Sequence, residues 1–554
     1  MKSFRKIKIL STLGLCLLLT YSVNAQNLEK QLDDIVSSVY SVEEPGISIL
    51  VAKDGKVVYR KAFGKANLEL DVPLKPENVF EIGSITKQFT AVAILMLEEQ
   101  GKLKIEDEIT KYIPDYPTKG KKITIHHLLN HTSGIKSYTG MGNFMELTRQ
   151  DMTPTELIDV FKNEPMDFNP GEEFRYNNSG YILLGHIIEV ITKDTYENFI
   201  EKNIFDKVGM KDSYYGKMSQ VIKNRASGYK QDKGSYLNAD YLSLTLPYAA
   251  GSLMSTVDDL LKWQNAISAN TLIKRTSLEK AIYGSKLNNG DDINYGYGWG
   301  KTNIQGAKGY AHSGGIFGYT TNGIFLEEEN VYVIGLTNCN CKNVGEITTK
   351  VAATVIGKPI PDKKDAISLP ETELKKWVGA YEFDGGVIRH IQLKDGKLFS
   401  LREGGPTQEF EIYPMKDGSF IFDDGTISYN FSMTKDGKRQ TIFKTSDESS
   451  LGKGIDKAPP AGRKEISVGL DVLKTYTGTY ELQPNFLIDI TVEGNSIFAT
   501  ATGQPTFEIF AESETKFFLK VVPAEITFNK DKEGKVESLT LNQGGRKMPA
   551  KKVK

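Results

Sequence analysis

Between residues 46 and 357 the stretches that read as strands stand at the two ends, and helical patterns fill the middle. "GISILVAKDGKVVYRKAFG" (46–64) is two alternating runs joined at Asp54-Gly55, a dipeptide that favours tight hairpins. "GGIFGYTTNGIFLEEENVYVIGLTN" (314–338) is a second antiparallel pair, turning at Glu327 to Asn330. From Ser84 to about residue 263 apolar residues recur at helical spacing, as in "SITKQFTAVAILMLEEQ" and "SGYILLGHIIEVITKD", and a last helix, "VGEITTKVAATVIG", ends at Gly357. Strands so far apart find partners only in each other. The expected class is α+β: one antiparallel sheet flanked by helices, a helical subdomain against it, and a cleft between them as the site.

With 554 residues the chain is too long for one core, and its texture changes after "KPIPDKKDAISLPET". Beyond that polar, proline-bearing stretch come short strands with turn signals such as "KDGK" and "DDGT". "LKKWVGAYEF" (374–383) and "LKTYTGTYEL" (473–482) align at a separation of 99 residues, and "FEIYPMKDGSFIF" echoes "FEIFAESETKFFL". The tail is therefore two copies of one all-β module, most simply two small barrels. The expected boundaries are 1–25, 26–358, a linker 359–370, and modules 371–462 and 463–554.

Residues 1–25 place Lys2, Arg5, Lys6 and Lys8 ahead of an apolar stretch that ends near Ala25. This is the pattern of an export signal cleaved before Gln26, and it implies a periplasmic or secreted protein. Four of the 69 Lys+Arg lie there and none of the 70 Asp+Glu, so the mature chain carries a net charge of about −5. Nothing in that balance invites nucleic acid, and no later segment is apolar for the roughly 18 residues that a membrane span needs. Cys339 and Cys341, the two cysteines of the mature chain, are too few for a disulfide framework and read as incidental. The alternative is a local disulfide or half of a metal site, and no metal or cofactor is expected.

Three stretches carry chemistry. Ser84 and Lys87 stand at the mouth of the apolar run "FTAVAILML", where a lysine one turn on can approach the serine hydroxyl at an electropositive helix start. Ser-x-x-Lys also occurs at Ser3, Ser227, Ser277 and Ser432, so the spelling alone is compatible with a mere helix cap. "FRYNNSGYILLG" offers Tyr176 as an acid or base and Asn178 as an amide that positions a carbonyl. "GYAHSGGIFGY" sets His312 on a glycine-rich strand edge, where Gly314 and Gly315 let a ligand approach the backbone and an N–H could meet an oxyanion.

Taken in order with their flanks, the three elements resemble those of the serine β-lactamase and penicillin-binding-protein superfamily, in its class C-related branch. "ITIHHLLNHTSGI", "AAGSLMSTVDDLLKW" and "YGYGWG" look like framework segments of the same branch, and the resemblance covers residues 28 to 357. It implies Ser84 as nucleophile, Lys87 and Tyr176 as its activators, Asn178 on the substrate's amide, and the N–H groups of Ser84 and Gly315 as oxyanion hole. His131 takes no chemical role in it and reads as framework. One departure bears on substrate: class C β-lactamases have lysine where this chain has His312, and an unperturbed imidazole is mostly neutral at pH 7. That favours uncharged amides or esters over carboxylate-bearing substrates, and with two C-terminal β modules it resembles the D-aminopeptidases and esterases. The expected protein is an exported serine hydrolase acting on small, D-amino-acid-containing or peptidoglycan-derived compounds. Its partner is a small-molecule or short-peptide substrate. The alternatives are a β-lactamase or D-Ala-D-Ala carboxypeptidase, and a non-catalytic sensor.

Overall fold

The computed structural model describes residues 27–404, 409–445, 449–460, 465–483, 486–502, 504–543 and 546–554. The stretch read as an export signal lies outside them. The chain divides into two compact units between Pro359 and Ile360.

The first unit is built on a six-stranded antiparallel sheet. Its strands are β1 (Ile47–Lys53), β2 (Lys56–Phe63), β3 (Gly300–Ile304), β4 (Ala307–Ile316), β5 (Tyr319–Leu326) and β6 (Val331–Thr337), in the order β3-β4-β5-β6-β1-β2. β1 pairs with β6, Ile47 opposite Thr337, so the two ends of the unit close one sheet as the sequence requires. Asp54 and Gly55 both take positive φ, 51° and 71°, which matches a two-residue hairpin to the strand twist. The glycine-rich stretch ends one strand and does not run on into the next. β4 stops at Ile316, and the chain reverses at Phe317-Gly318, with Gly318 at φ +83°, before β5.

Both faces of the central strands are buried. Leu50, Ala52, Ile334 and Leu336 belong to the large core that, after the first helix, α1 (27–37), also takes in α2 (Thr86–Glu99), α3 (Asn178–Thr192) and α4 (Val257–Ser268). The alternate residues point the other way. A Cβ on Gly335 would come within 3.0 Å of Thr348 and Val344, because α5 (Val344–Val355) presses on that face. In α2 every residue from Thr86 to Leu97 is buried, and Phe89 stacks on Trp263 at 4.0 Å, which fixes the helix and whatever its N-terminus carries. Cys339 and Cys341 are disulfide-bonded, so the reading of them as incidental is corrected; they lie beyond the end of β6, in a bend.

The second unit holds two closed barrels of eight strands each, from Gly379–Phe383 to Ser449–Ile455 and from Gly478–Gln483 to Arg546–Lys552. The repeat recurs as geometry. Tyr381 donates its hydroxyl proton to the Trp377 carbonyl at 2.8 Å, and Tyr480, 99 positions on, donates to the Tyr476 carbonyl at 2.7 Å. The stretch read as a linker is tied to the first barrel, since the Ile367 N–H donates to the Pro414 carbonyl at 2.8 Å. Among the described residues no helix is long and apolar enough to cross a membrane.

Candidate active site

Ser84 sits in a 3-10 turn, Gly83–Ile85, that leads into α2, and it is partly exposed. Neither capping position, Ile82 or Ile85, carries a side-chain bond, so Ser84 is not there as a cap. Gly83 takes φ +51°, and a Cβ on it would stand 3.0 Å from the Gly315 backbone. The end of β4 thus passes directly over the residue before Ser84. Gly314 is equally constrained: its Cβ would fall 2.1 Å from the Ile82 carbonyl oxygen. A Cβ on Gly315 would meet nothing within 4 Å, so that side faces open space.

Lys87 is fully buried one turn on. Its Nζ lies 3.1 Å from Ser84 Oγ, 2.8 Å from Asn178 Oδ1 and 2.9 Å from the Ala250 carbonyl oxygen. Burial without a carboxylate partner holds its pKa well below the usual lysine value, because the charged form loses its hydration. A neutral amine has two hydrogens and one lone pair. The Ala250 oxygen can only accept, and Asn178 presents its oxygen to Nζ because its Nδ2 donates to Thr139 Oγ1 at 3.1 Å. Both hydrogens are then committed and the lone pair is left facing Ser84.

Tyr176 lies on the approach to α3, its ring 4.8 Å from Lys87 Nζ. The residue is 39% exposed, and burial around its hydroxyl raises the phenol above its ordinary value while a hydrogen bond with Ser84 opposes the shift. His131 holds this segment in place. Its carbonyl accepts from the Arg175 N–H at 3.0 Å and its Nδ1 from the Asn177 N–H at 3.1 Å, one clamp on each side of Tyr176. The imidazole, 1% exposed and 4.3 Å from the Tyr176 ring, is held neutral by burial and by Lys87. Framework is the right description, but it is the framework of Tyr176.

His312 lines the cleft from β4. Its Nδ1 donates to the Ser313 carbonyl at 2.6 Å, which leaves Nε2 to accept from the Tyr295 hydroxyl at 2.8 Å. Both nitrogens are used. Burial, Lys87 nearby and only one compensating backbone bond push its pKa down to about 3, so the side chain is neutral at any ordinary pH. The sequence expectation of an uncharged residue here agrees with this geometry, for a stronger reason than an unperturbed value.

Ser84 and Gly315 stand between two arms of the cleft. One, about 370 Å³, is walled mainly by Tyr138, Phe144, Leu246, Ile316 and Phe317. The other, about 540 Å³, is lined by Tyr176, Tyr295, Lys301, Thr302, His312 and Ser313. All seven residues singled out in the sequence are brought together. The sequence reading missed the Ala250 carbonyl, Thr139, the apolar wall and Lys301. A backbone carbonyl has no side-chain signature, and Lys301 sits one position past "YGYGWG" on an edge strand that carried no strong pattern. Among the described residues no group of three or more His, Cys, Asp or Glu could hold a metal ion.

Comparison with known proteins bears on this arrangement. A family model described as Beta-lactamase matches residues 25–355, and one described as a domain of unknown function (DUF3471) matches residues 463–552. The chain is 30% identical over 440 residues to penicillin-binding protein 4* of Bacillus subtilis (strain 168), covering 76% of this chain and 97% of that protein. The octameric penicillin-binding protein homologue from Pyrococcus abyssi superposes with a TM-score of 0.54 at 28% identity, over 77% of this chain and 99% of that one. The D-amino acid amidase from Ochrobactrum anthropi SV3 gives 0.53 at 22% identity, over 60% and 99%, a likeness of fold alone.

Proposed function

This chain belongs to the β-lactamase family, and on that premise we propose that it is an exported serine hydrolase that opens amide or ester bonds through an acyl-enzyme on Ser84. The observation that carries the reading is the buried Lys87 amine, 3.1 Å from Ser84 Oγ with its hydrogens committed elsewhere. Lys87 takes the Ser84 proton as Oγ attacks the carbonyl carbon, and the oxyanion is met by the N–H groups of Ser84 and Gly315. Tyr176, whose phenol burial keeps protonated, gives its proton to the leaving nitrogen or oxygen as that bond breaks, and the Lys87 ammonium restores it. Water then hydrolyses the ester. Of the two activators, the lysine is thus the base and the tyrosine the acid, within a coupled pair.

Because Tyr176 lines the polar arm, the leaving group belongs there and the acyl portion belongs in the apolar arm. A neutral His312 gives the leaving group no cation, which supports uncharged amides or esters, D-aminoacyl or peptidoglycan-derived, with an apolar acyl side chain. A second reading, a carboxypeptidase or β-lactamase, draws on Lys301, whose ammonium on the polar arm would take a carboxylate. The Cys339–Cys341 disulfide and the basic-then-apolar N-terminus both support a periplasmic or secreted location. The test is a panel of D- and L-phenylalaninamide, their methyl esters, a penicillin and a D-Ala-D-Ala peptide on the purified chain. Turnover is expected on the D-amide and ester. One equivalent of product and then nothing on every compound would make the protein a sensor instead.

A further inference from the structure

The second barrel is hollow where the first is filled, and the repeat allows the two to be compared position by position. In the first, Tyr429 lies opposite Phe420 on one side and Phe443 on the other; in the second, Ile526 lies opposite Phe517 and Leu541. The same matching sets Leu482 where the first copy has Phe383, Ile488 where it has Arg389, and Leu519 where it has Phe422. In the first barrel those residues form one plug. Tyr429 and Phe443 are 5.0 Å apart, Phe383 and Phe422 pack on them at 5.9 and 5.7 Å, and the Arg389 guanidinium lies 3.9 Å over Phe443. In the second, five aliphatic side chains replace four rings and a guanidinium, and a cavity of about 650 Å³ opens among them. Farther along, Tyr476 stacks on Phe528 at 4.2 Å and Phe517 meets Phe528 edge-on at 5.4 Å.

An eight-stranded barrel is just wide enough to be packed by its own side chains or to hold one small ligand, and a void of this size is in the range of ligand sites. The lining within is apolar and mostly aliphatic, with Phe486 and Phe507 among it. At the mouth stand Gln483, Gln504, Gln543 and Lys547, and among the described residues that line it none is acidic. A cavity with an apolar interior and, among the described residues that line it, one cation at its rim selects a chain with an anionic head. We propose that the second barrel is a binding site for a single-chain aliphatic carboxylate, tail inward and carboxylate at the Lys547 rim.

The experiment is isothermal titration of dodecanoate, below its micellar concentration, into the whole chain carrying Ser84→Ala. One saturable site is expected. Ile526→Tyr with Leu541→Phe installs the residues that the first copy packs at the same register, and it should weaken binding at least tenfold with the thermal transition kept. Should that pair misfold, Ala501→Leu reduces the same space by less and should weaken binding severalfold. Lys547→Met should weaken dodecanoate about threefold or more and leave dodecan-1-ol unchanged. The proposal is overturned by no saturable binding, by equal affinity in the filled variants, which would move the ligand to the apolar arm beside Ser84, or by equal affinity for dodecanoate and dodecyltrimethylammonium.

Discussion

Lys87→Met isolates the base from the rest of the site. The thioether keeps the side chain as far as Cε and removes the nitrogen that faces Ser84 Oγ, Asn178 Oδ1 and the Ala250 oxygen. Two acceptors lose their donor, at about 1 to 3 kcal/mol for each one left buried and unpaired. Against that, a buried amine is no longer desolvated, so the net change in stability should stay within about 2 kcal/mol. Catalysis should suffer far more. General-base assistance is worth roughly 10²- to 10⁴-fold, and without it kcat/KM should drop by about 10³, or about 4 kcal/mol of transition-state stabilisation. The pH dependence gives the sharper reading. Lys87 titrates well below the ordinary lysine value in the folded protein, so the wild-type rate falls on the acid side as the amine takes a proton. The unfolded chain holds that proton up to about pH 10.4, so wild-type stability also rises with pH from the depressed value to the ordinary one. Both effects should vanish in Lys87→Met. Rates on a D-aminoacyl amide between pH 5 and 10, with thermal melts at each pH, decide it. A variant within tenfold of wild type, or one that keeps the acid limb, refutes Lys87 as the base.

His312→Lys forfeits the bonds to Ser313 and Tyr295, about 1 kcal/mol each, and sets an ammonium near the neutral Lys87 amine, so rates on all substrates should fall. The ratio of kcat/KM on a D-Ala-D-Ala peptide to that on D-alanyl amide should nonetheless rise at least tenfold; an unchanged ratio means that residue 312 does not face the leaving group. A chain ending at Pro359 should fold and turn over small amides, because β1 and β6 already close the sheet. Loss of its cooperative thermal transition would show that the barrels complete the catalytic unit.

Much of this was legible because chain order alone restricts the topology. Strands 47–63 and 319–337 with helices between leave one economical pairing, and the structure has it. The barrels were legible because the module occurs twice. What stayed hidden is what depends on the third dimension. That Ser84 is no cap follows from a 3-10 turn under a crossing strand, and only Gly83 at positive φ hints at it. That His131 clamps the backbone on both sides of Tyr176 needs two segments 46 residues apart in sequence to meet. The cysteines were read as incidental because two are too few for a disulfide framework; the strand ends at Thr337, and the bend beyond it brings the two sulfurs together.

The most direct measurement is covalent. The purified chain treated with a serine-directed fluorophosphonate, followed by intact mass and peptide mapping, should gain one adduct, on Ser84. Lys87→Met should label at least a hundredfold more slowly, and Ser84→Ala should neither label nor turn over any substrate while keeping its thermal transition. Adduct formation at another serine, or hydrolysis within tenfold of wild type by Ser84→Ala, would contradict the assignment of Ser84 as nucleophile and with it the acyl-enzyme.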